Sequence, residues 1–430
     1  MIEVLVLTFL FLGVLLLLYA MGVPVAIAMA GTSIVIMVSP FGRGLNYSLI
    51  STQLVYSLNS FTLLALPFYI LLGRIMNRIG LTEVIFDFAN ALFAQFRGGL
   101  AYVNITASMI FSGMSGLALA DAAGLGRIEY ESMRERGYNK KLALGVTGSS
   151  TVIGPIIPPS VTLIIYGVLA GVSIGDLFIA GVIPGLLLGI ILMVFTFIIM
   201  RRDGIDLREE FDLSKVIANL KLALLPLFLP VLIIGGILSG FFTATEAGAV
   251  AVTYALLLGV FYGDMSFNDL HEEIQASAIE TFSLLFLLGA ASLYGTVALQ
   301  LQLPMMLADL ITSITSNPIG IMLLIILLLL FVGMFMETLA AITILVPILV
   351  PILDNVGIDL VQFGIIMILT LMIGLLTPPF GVILFVLEKV TDASLEEITK
   401  AVAPFYVPIM IVILLLVAFP ALTTWLPSVF

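Results

Sequence analysis

No cysteine occurs among the 430 residues, and there is a single histidine, His271. Without thiols there is no disulfide framework, no thiolate nucleophile and no cysteine-ligated zinc. One imidazole cannot build a histidine-based metal site or a nucleophile–base pair, which argues against an intramembrane enzyme. Charge is scarce too: Asp, Glu, Lys and Arg make up 10% of the chain, against about 25% in an ordinary soluble domain. The net charge of -11 leaves no basic surface for nucleic acid. No Gly-x-x-x-x-Gly-Lys-[Ser/Thr] loop occurs, and no polar stretch is long enough for a nucleotidase domain. A pump driven by the chain's own ATP hydrolysis is therefore excluded.

What is present is apolar: 61% of residues are hydrophobic and the mean hydropathy is +1.26. Runs such as 4–20 and 183–200 are long enough to cross a bilayer as helices, which takes roughly 17–25 residues. The first is read as a span rather than a secretory leader, because Glu3 leads it and no small-residue cleavage site follows. The expectation is an all-α polytopic membrane protein. Its clearest polar interruption, 201–215, divides it into a first membrane half (1–205), a cytoplasmic linker (206–220) and a second half (221–430).

Residues 101–126 decide the topology. About eleven mostly apolar residues precede a small-residue turn at Ser112–Gly116, and about ten follow before Arg127. Neither arm spans a ~30 Å core at 1.5 Å per residue, so a re-entrant hairpin over 100–126 is expected. With the N-terminus outside, fifteen of the sixteen Lys and Arg residues then fall inside and only Arg43 outside. A single spanning helix would scatter the basic clusters across both faces, against the positive-inside rule. Both termini are accordingly expected on the periplasmic side.

The sequence matches itself at an offset of 220 residues. Phe111, Gly113 and Met114 recur as Phe331, Gly333 and Met334; Gly154, Pro158 and Pro159 recur as Gly374, Pro378 and Pro379. Each half thus carries a hairpin (100–126 and 319–353) followed by a proline-broken helix (142–172 and 359–390). Five crossings per half invert the second half relative to the first, the pattern of secondary transporters with a site at the repeat interface.

Three motifs carry chemistry. In 149–160, Pro155, Pro158 and Pro159 block helix continuation and free carbonyls at mid-membrane, which must face protein, water or a cation. Residues 372–381 are the counterpart; the alternative for each is a kinked helix re-satisfied by its neighbours. At the first hairpin tip, Ser115 and Asp121 offer a hydroxyl and a carboxylate, and an intramembrane acid points to a functional site. Oxygen donors suit a hard cation such as Na⁺. Asp121 could otherwise cap the second arm or pair with Arg127. The second tip has Ala341 in place of the acid and supplies Glu337 and Thr338. In the third motif, 237–252, Thr245 is expected to cap a span with Glu246 in its first turn, with ion or substrate contact as the alternative. Glu280 reads equally as a buried functional acid or an interfacial one. Gly181, Gly185 and Gly189 form a helix-packing row, or a partner contact. His271 is expected in a solvated loop, and Trp425 as an interfacial anchor.

The segments SGMSGLALADAAGLG, GPIIPPS, FFTATEAGAVAV, GMFMETLAAITILVPIL and GLLTPPFGVILF, in this order along nearly the whole chain, resemble the large membrane subunit (DctM-type) of tripartite ATP-independent periplasmic (TRAP) transporters. The resemblance implies an elevator-type secondary transporter with a mobile domain of two hairpins and two broken helices. It implies two or more Na⁺ ions, a small membrane subunit expected as a separate chain, and a periplasmic binding protein that hands over an organic acid. Carried over residue by residue, the first Na⁺ site takes Ser115, Asp121, Gly154, Ile157 and Pro159; the second takes Phe335, Gly374, Thr377 and Pro379. Substrate contact is expected near Ser149, Ser160, Thr162, Thr338 and Phe380, with Glu246 and Glu337 as further candidates. The expected function is Na⁺-coupled import of a C4-dicarboxylate or a sugar acid such as sialic acid across the bacterial inner membrane. A passive channel and proton coupling are the alternatives.

Overall fold

The computed structural model describes the chain except residues 1, 40–46, 94, 116–117, 206, 208–210, 263–264 and 430, and except the side chains of 2–9, 82, 112–115 and 120. Arg43 and Arg208 lie outside the described residues. Among the described residues every regular element is helical. Hydrocarbon offers peptide groups no water, so each segment must satisfy its own backbone.

The first half opens with α1 (Ile2–Ala20), α2 (Val25–Val38), α3 (Ser48–Tyr56), α4 (Ala65–Arg78) and α5 (Leu81–Phe93). A hairpin of α6 (Gly99–Ser115) and α7 (Ala118–Glu135) follows, then the interrupted pair α8 (Lys140–Ser150) and α9 (Val161–Ala170), then α10 (Ile174–Arg202). The second half runs α11 (Leu213–Leu238), α12 (Ala244–Tyr262), α13 (Phe267–Gln300) and α14 (Leu303–Ile314). Its hairpin is α15 (Pro318–Gly333) with α16 (Thr338–Val356), and its interrupted pair is α17 (Leu360–Leu375) with α18 (Val382–Val390). The chain closes with α19 (Leu395–Val402), α20 (Tyr406–Ala418) and α21 (Ala421–Val429). Hairpin arms and broken arms start at 99, 118, 140 and 161, and again at 318, 338, 360 and 382, an offset of 219 to 221 positions. Among the described residues six helices are long and apolar enough to cross a membrane, and up to eight spans result if each bent pair counts as one. The chain is a multi-pass membrane protein.

Cross-hairpin contacts join α6 to α7 and to the turn that follows it. Leu100 N–H donates to Tyr138 Oη at 3.3 Å, Asn104 Nδ2 reaches Met133 Sδ at 3.9 Å, and Ser108 Oγ meets Glu129 Oε1 at 3.4 Å. That register is antiparallel, so both ends return to one side. The hairpin is longer than the expected 100–126, because the charge at Arg127 does not end the helix. Arg127, Glu131 and Arg134 form an exposed face of α7, while Glu129, Tyr130 and Met133 stay buried.

Other departures have similar local causes. His271 sits exposed in α13 rather than in a loop, because Ser266 and Asp269 form a capping box that starts the helix early. Residues 213–220 belong to α11 and not to the linker: Asp212 caps that helix, accepting from the amides of Ser214 and Lys215. Glu280 is over a third exposed and lies 3.7 Å from Arg74, whose Nε bonds Glu273 at 2.8 Å. It is thus the interfacial acid of the two alternatives, joining α4 to α13.

The broken helices lie at the centre. Residues 142–150 of α8 and 362–375 of α17 are buried without exception. α17 packs against α9, an arm of the other pair, and α8 packs against α19, which follows α18. Tyr166 of α9 donates to the Leu360 carbonyl of α17 at 2.5 Å. On α8, a Cβ added at Gly145 would lie 2.6 Å from the Ala401 carbonyl oxygen, and one at Gly148 would lie 2.7 Å from Val402 Cγ2, both on α19. Around this core α1 to α5 pack against α11 to α13, most closely α4 on α12 and α2 on α13.

Candidate functional site

Proline placement sets the first interruption. In an unbroken helix the carbonyls of 151, 154 and 155 would accept from the amides of 155, 158 and 159, and all three donors are proline. Two carbonyls find substitutes. Thr151 O takes the Gly154 amide at 3.3 Å, and Pro155 O takes the Ser160 hydroxyl at 2.7 Å. Among the described residues, no amide or hydroxyl donates to the Gly154 carbonyl. The glycine row of α10 closes over this irregular backbone. A Cβ at Gly181 would stand 2.3 Å from the Ile156 carbonyl oxygen, one at Gly185 2.4 Å from Ile157 Cγ1, and one at Gly189 2.3 Å from Met109 Sδ. The row is therefore a packing face within the bundle.

Against this turn lies α7, which packs on Thr151–Ile153. Asp121 is 1% exposed, and neither of its oxygens accepts a well-formed hydrogen bond. It does not pair with Arg127, which bonds Glu131 at 2.8 Å on the outer face, and it caps nothing. A buried, unpaired carboxylate costs several kcal/mol and persists where something compensates it. Buried oxygen acceptors without a well-formed hydrogen bond fit a cation. Of the expected first-site residues, Asp121 lies on the helix that packs against the turn leading into Gly154. Ile157 is half-buried and packs on Gly185, Pro159 closes the turn, and the side chain of Ser115 lies outside the described residues.

The second locus is built the same way with different donors. Pro378 and Pro379 deprive Gly374 and Leu375 of their helical partners. Gly374 O takes the Thr377 amide at 2.9 Å, and the Thr377 hydroxyl donates to Ile373 O at 2.7 Å. The Phe380 amide donates to Met334 O at 3.2 Å, tying the interruption to the second hairpin tip. There α15 crosses α17 backbone on backbone: a Cβ on Gly374 would fall 2.4 Å from the Gly333 carbonyl carbon. The two glycines that repeat at the offset of 220 are, in this half, a touching pair. Phe335 packs on Phe331 and Phe380 with ring centroids 5.2 and 6.0 Å apart. Phe335, Gly374, Thr377 and Pro379 therefore share one locus. Glu337 caps α16 instead of offering a free carboxylate, accepting from the amides of Leu339 at 2.8 Å and Ala340 at 3.2 Å.

The expected substrate contacts separate into two groups. Phe380 lines a mostly apolar cavity of about 710 Å³ between the second tip and the α1–α2 turn, together with Tyr19, Phe335 and Met336. Thr338 is buried at that tip with an unpartnered hydroxyl. Ser149, Ser160 and Thr162 are sealed in the interior. Ser149 donates to its own turn at Val146 O, and Ser160 caps α9 by accepting the Leu163 amide at 3.2 Å.

In the third motif the capping residue is Thr243 rather than Thr245. Glu246 accepts from the Thr243 amide at 2.8 Å and hydroxyl at 2.9 Å, and Thr243 Oγ1 accepts the Glu246 amide at 3.3 Å. The helix begins two residues earlier than a cap at Thr245 would place it, and Glu246 is exposed. Thr243→Ala is expected to cost about 1 kcal/mol, the usual worth of an N-cap. It should leave ion dependence unchanged; thermal unfolding with and without Na⁺ checks both.

Sequence reasoning missed Glu129, 1% exposed on the same face of α7 as Asp121. The spacing Asp121, Leu125, Glu129, Met133 puts it on the buried stripe, a signal hidden by ending the hairpin at 126. It also missed Tyr406, whose hydroxyl donates to the Leu376 carbonyl beside the second break.

Residues 12–422 match the family described as "Tripartite ATP-independent periplasmic transporter, DctM component". The chain belongs to the DctM family. This permease is 44% identical to the sialic acid TRAP transporter large permease protein SiaM of Vibrio cholerae, over 95% of this chain and 96% of that one. It is 36% identical to the C4-dicarboxylate TRAP transporter large permease protein DctM of Pseudomonas aeruginosa, over 94% of each. The sialic acid TRAP transporter permease protein SiaT of Haemophilus influenzae matches at 39% identity; there the permease covers 61% of the relative's length. Among solved structures, the Alcanivorax borkumensis YdaH transporter superposes with a TM-score of 0.62 at 14% identity, over 90% of both chains, which is a likeness of fold.

Proposed function

We propose that this permease imports an organic acid of the sialic acid class by secondary active transport, with Na⁺ as the co-transported ion. The observation that carries the reading is Asp121, a buried carboxylate without a well-formed hydrogen bond, on the helix that packs against the turn beside which the Gly154 carbonyl has lost its amide. Such a site holds a small hard cation through oxygen atoms. Sodium bound there ties the first hairpin to the first broken helix. Substrate affinity rises with that order, and the coupling is reciprocal. The substrate carboxylate needs no Lys or Arg, since half-helix N-termini and bound cations supply the positive field. Residues Phe335, Gly374, Thr377 and Pro379 form a second ion locus that relies on carbonyls.

The sugar-acid class is favoured because two relatives at 44% and 39% identity are sialic acid permeases, while the C4-dicarboxylate permease matches at 36%. The mobile body consists of the hairpins and broken helices and travels against α1 to α5 and α11 to α13 in an elevator movement. Partners are a small membrane subunit and a periplasmic binding protein, and the site of action is the bacterial inner membrane with both termini outside.

Uptake into proteoliposomes holding the permease and both partners tests this. Sialic acid accumulation is expected under an inward Na⁺ gradient and not under an equal K⁺ gradient. Uptake driven equally by a pH gradient without Na⁺ overturns the choice of ion. Non-saturating flux without the binding protein points to a channel.

A further inference from the structure

Glu129 lies two turns below Asp121 on α7, on the stripe that faces α6. It is 1% exposed; its Oε1 meets the Ser108 hydroxyl at 3.4 Å, and its Oε2 has no partner. Asp121, with two unpartnered oxygens, is the charged side chain whose field reaches it. No Lys or Arg pairs with either acid among the described residues: Arg127 is bound to Glu131, and Arg134 Nη1 to the Tyr138 carbonyl, both directed away from the stripe. The surroundings are polar on the remaining side. Asn104 donates to Thr147 Oγ1 at 2.7 Å and accepts from Ser150 Oγ at 2.8 Å, so a buried network joins the hairpin to α8 at this depth.

Two carboxylates without a counter-charge cannot both be neutralised by the single ion of the tip site. A proton shared between them has one carboxyl oxygen donate and a second accept, and still leaves the third unpartnered oxygen unmet. A second cation at Glu129 supplies the missing charge and engages its unpartnered oxygen.

We infer that Glu129 and Ser108 form a further monovalent metal-cation site beneath the hairpin tip, adjoining the Asp121 site and loaded with Na⁺. The inference rests on the cation-coupled reading above and adds one ion to it. The site locks α6 to α7 along the hairpin's length, while the Asp121 site locks the hairpin to the broken helix.

The test is ²²Na⁺ equilibrium binding and Na⁺-dependent thermal stabilisation of the full-length permease in nanodiscs, at constant ionic strength with choline. Glu129→Gln is expected to bind one Na⁺ fewer per chain than the parent and to need at least tenfold more Na⁺ for half-maximal stabilisation. Glu129→Asp, which keeps the charge, should retain the full count with weaker affinity. An unchanged ion count and midpoint in Glu129→Gln overturns the site. So does an unchanged count accompanied by loss of proton release on Na⁺ binding, which makes Glu129 a protonated acid. Asp121→Asn is run in parallel. If that variant alone loses an ion, the tip site stands and the deeper one falls; if it binds as the parent does, the cation reading of the tip itself fails.

Discussion

Asp121→Asn is expected to remove the dependence of sialic acid uptake on Na⁺ while leaving a folded protein. The replacement is isosteric, so packing of α7 on Thr151–Ile153 is kept and only the charge is lost. In the parent, an empty site leaves a carboxylate buried with neither oxygen hydrogen-bonded. Ion binding relieves that penalty, and the parent should melt at a temperature that climbs with Na⁺ as RT ln(1 + [Na⁺]/Kd). The variant lacks that contribution. Its melting temperature should therefore be higher than the parent's in Na⁺-free buffer and should climb less steeply with added Na⁺. Uptake driven by a Na⁺ gradient should fall on the order of 5- to 150-fold, the usual range of a coupling free energy between two sites. Nanodisc melting curves paired with gradient-driven uptake measure both. A variant that melts and transports with the parent's Na⁺ response removes Asp121 from the ion site.

Gly374→Ala is expected to be the most damaging small substitution in the second half. The added methyl would sit 2.4 Å from the Gly333 carbonyl carbon and 2.5 Å from its Cα, so what blocks it is backbone and not the end of a flexible side chain. Either α15 moves off α17 or α17 bends, and in both cases the hydrogen bond from the Phe380 amide to Met334 O at 3.2 Å is lost. Overpacking of this kind costs about 1–3 kcal/mol and can exceed it where backbone must shift. A useful control is Gly235→Ala in α11, where an added Cβ meets nothing within 4 Å. That change should be neutral, or stabilising by roughly 0.5–1 kcal/mol through helix propensity. Gly374→Ala should lose uptake and several degrees of melting temperature, whereas Gly235→Ala keeps both. Equal behaviour of the two variants would mean that the crossing is not as tight as the geometry requires.

The same crossing shows why the repeat was readable in the sequence. Gly333 and Gly374 each recur from the first half because neither tolerates a side chain at the contact, so packing leaves a trace in residue identity. Asp121 was legible for a related reason: an acid in an apolar stretch demands an explanation wherever it lies. Glu129 was not, because Arg127, Glu131 and Arg134 surround it in the chain and make it look like part of a solvated face. Only the turn of the helix separates it from them. Glu337 shows the opposite error. It stands in the tip motif of the second hairpin, yet the amides of Leu339 and Ala340 already occupy its carboxylate. Ser149 and Ser160 likewise spend their hydroxyls on backbone carbonyls within their own turns.

By itself, then, the order of amino acids established that this chain lives in a membrane, that it carries hairpins and proline-broken helices twice over, and that an acid belongs near the first tip. Those features depend on hydropathy, on missing amide hydrogens and on glycine, all of which act within a few residues. Tertiary structure alone decided which polar groups are left without partners. A hydroxyl or carboxylate is free or committed according to what the neighbouring helix presents, and neighbours from distant parts of the chain, such as α2 with α13 or α8 with α19, are set by packing rather than by local pattern.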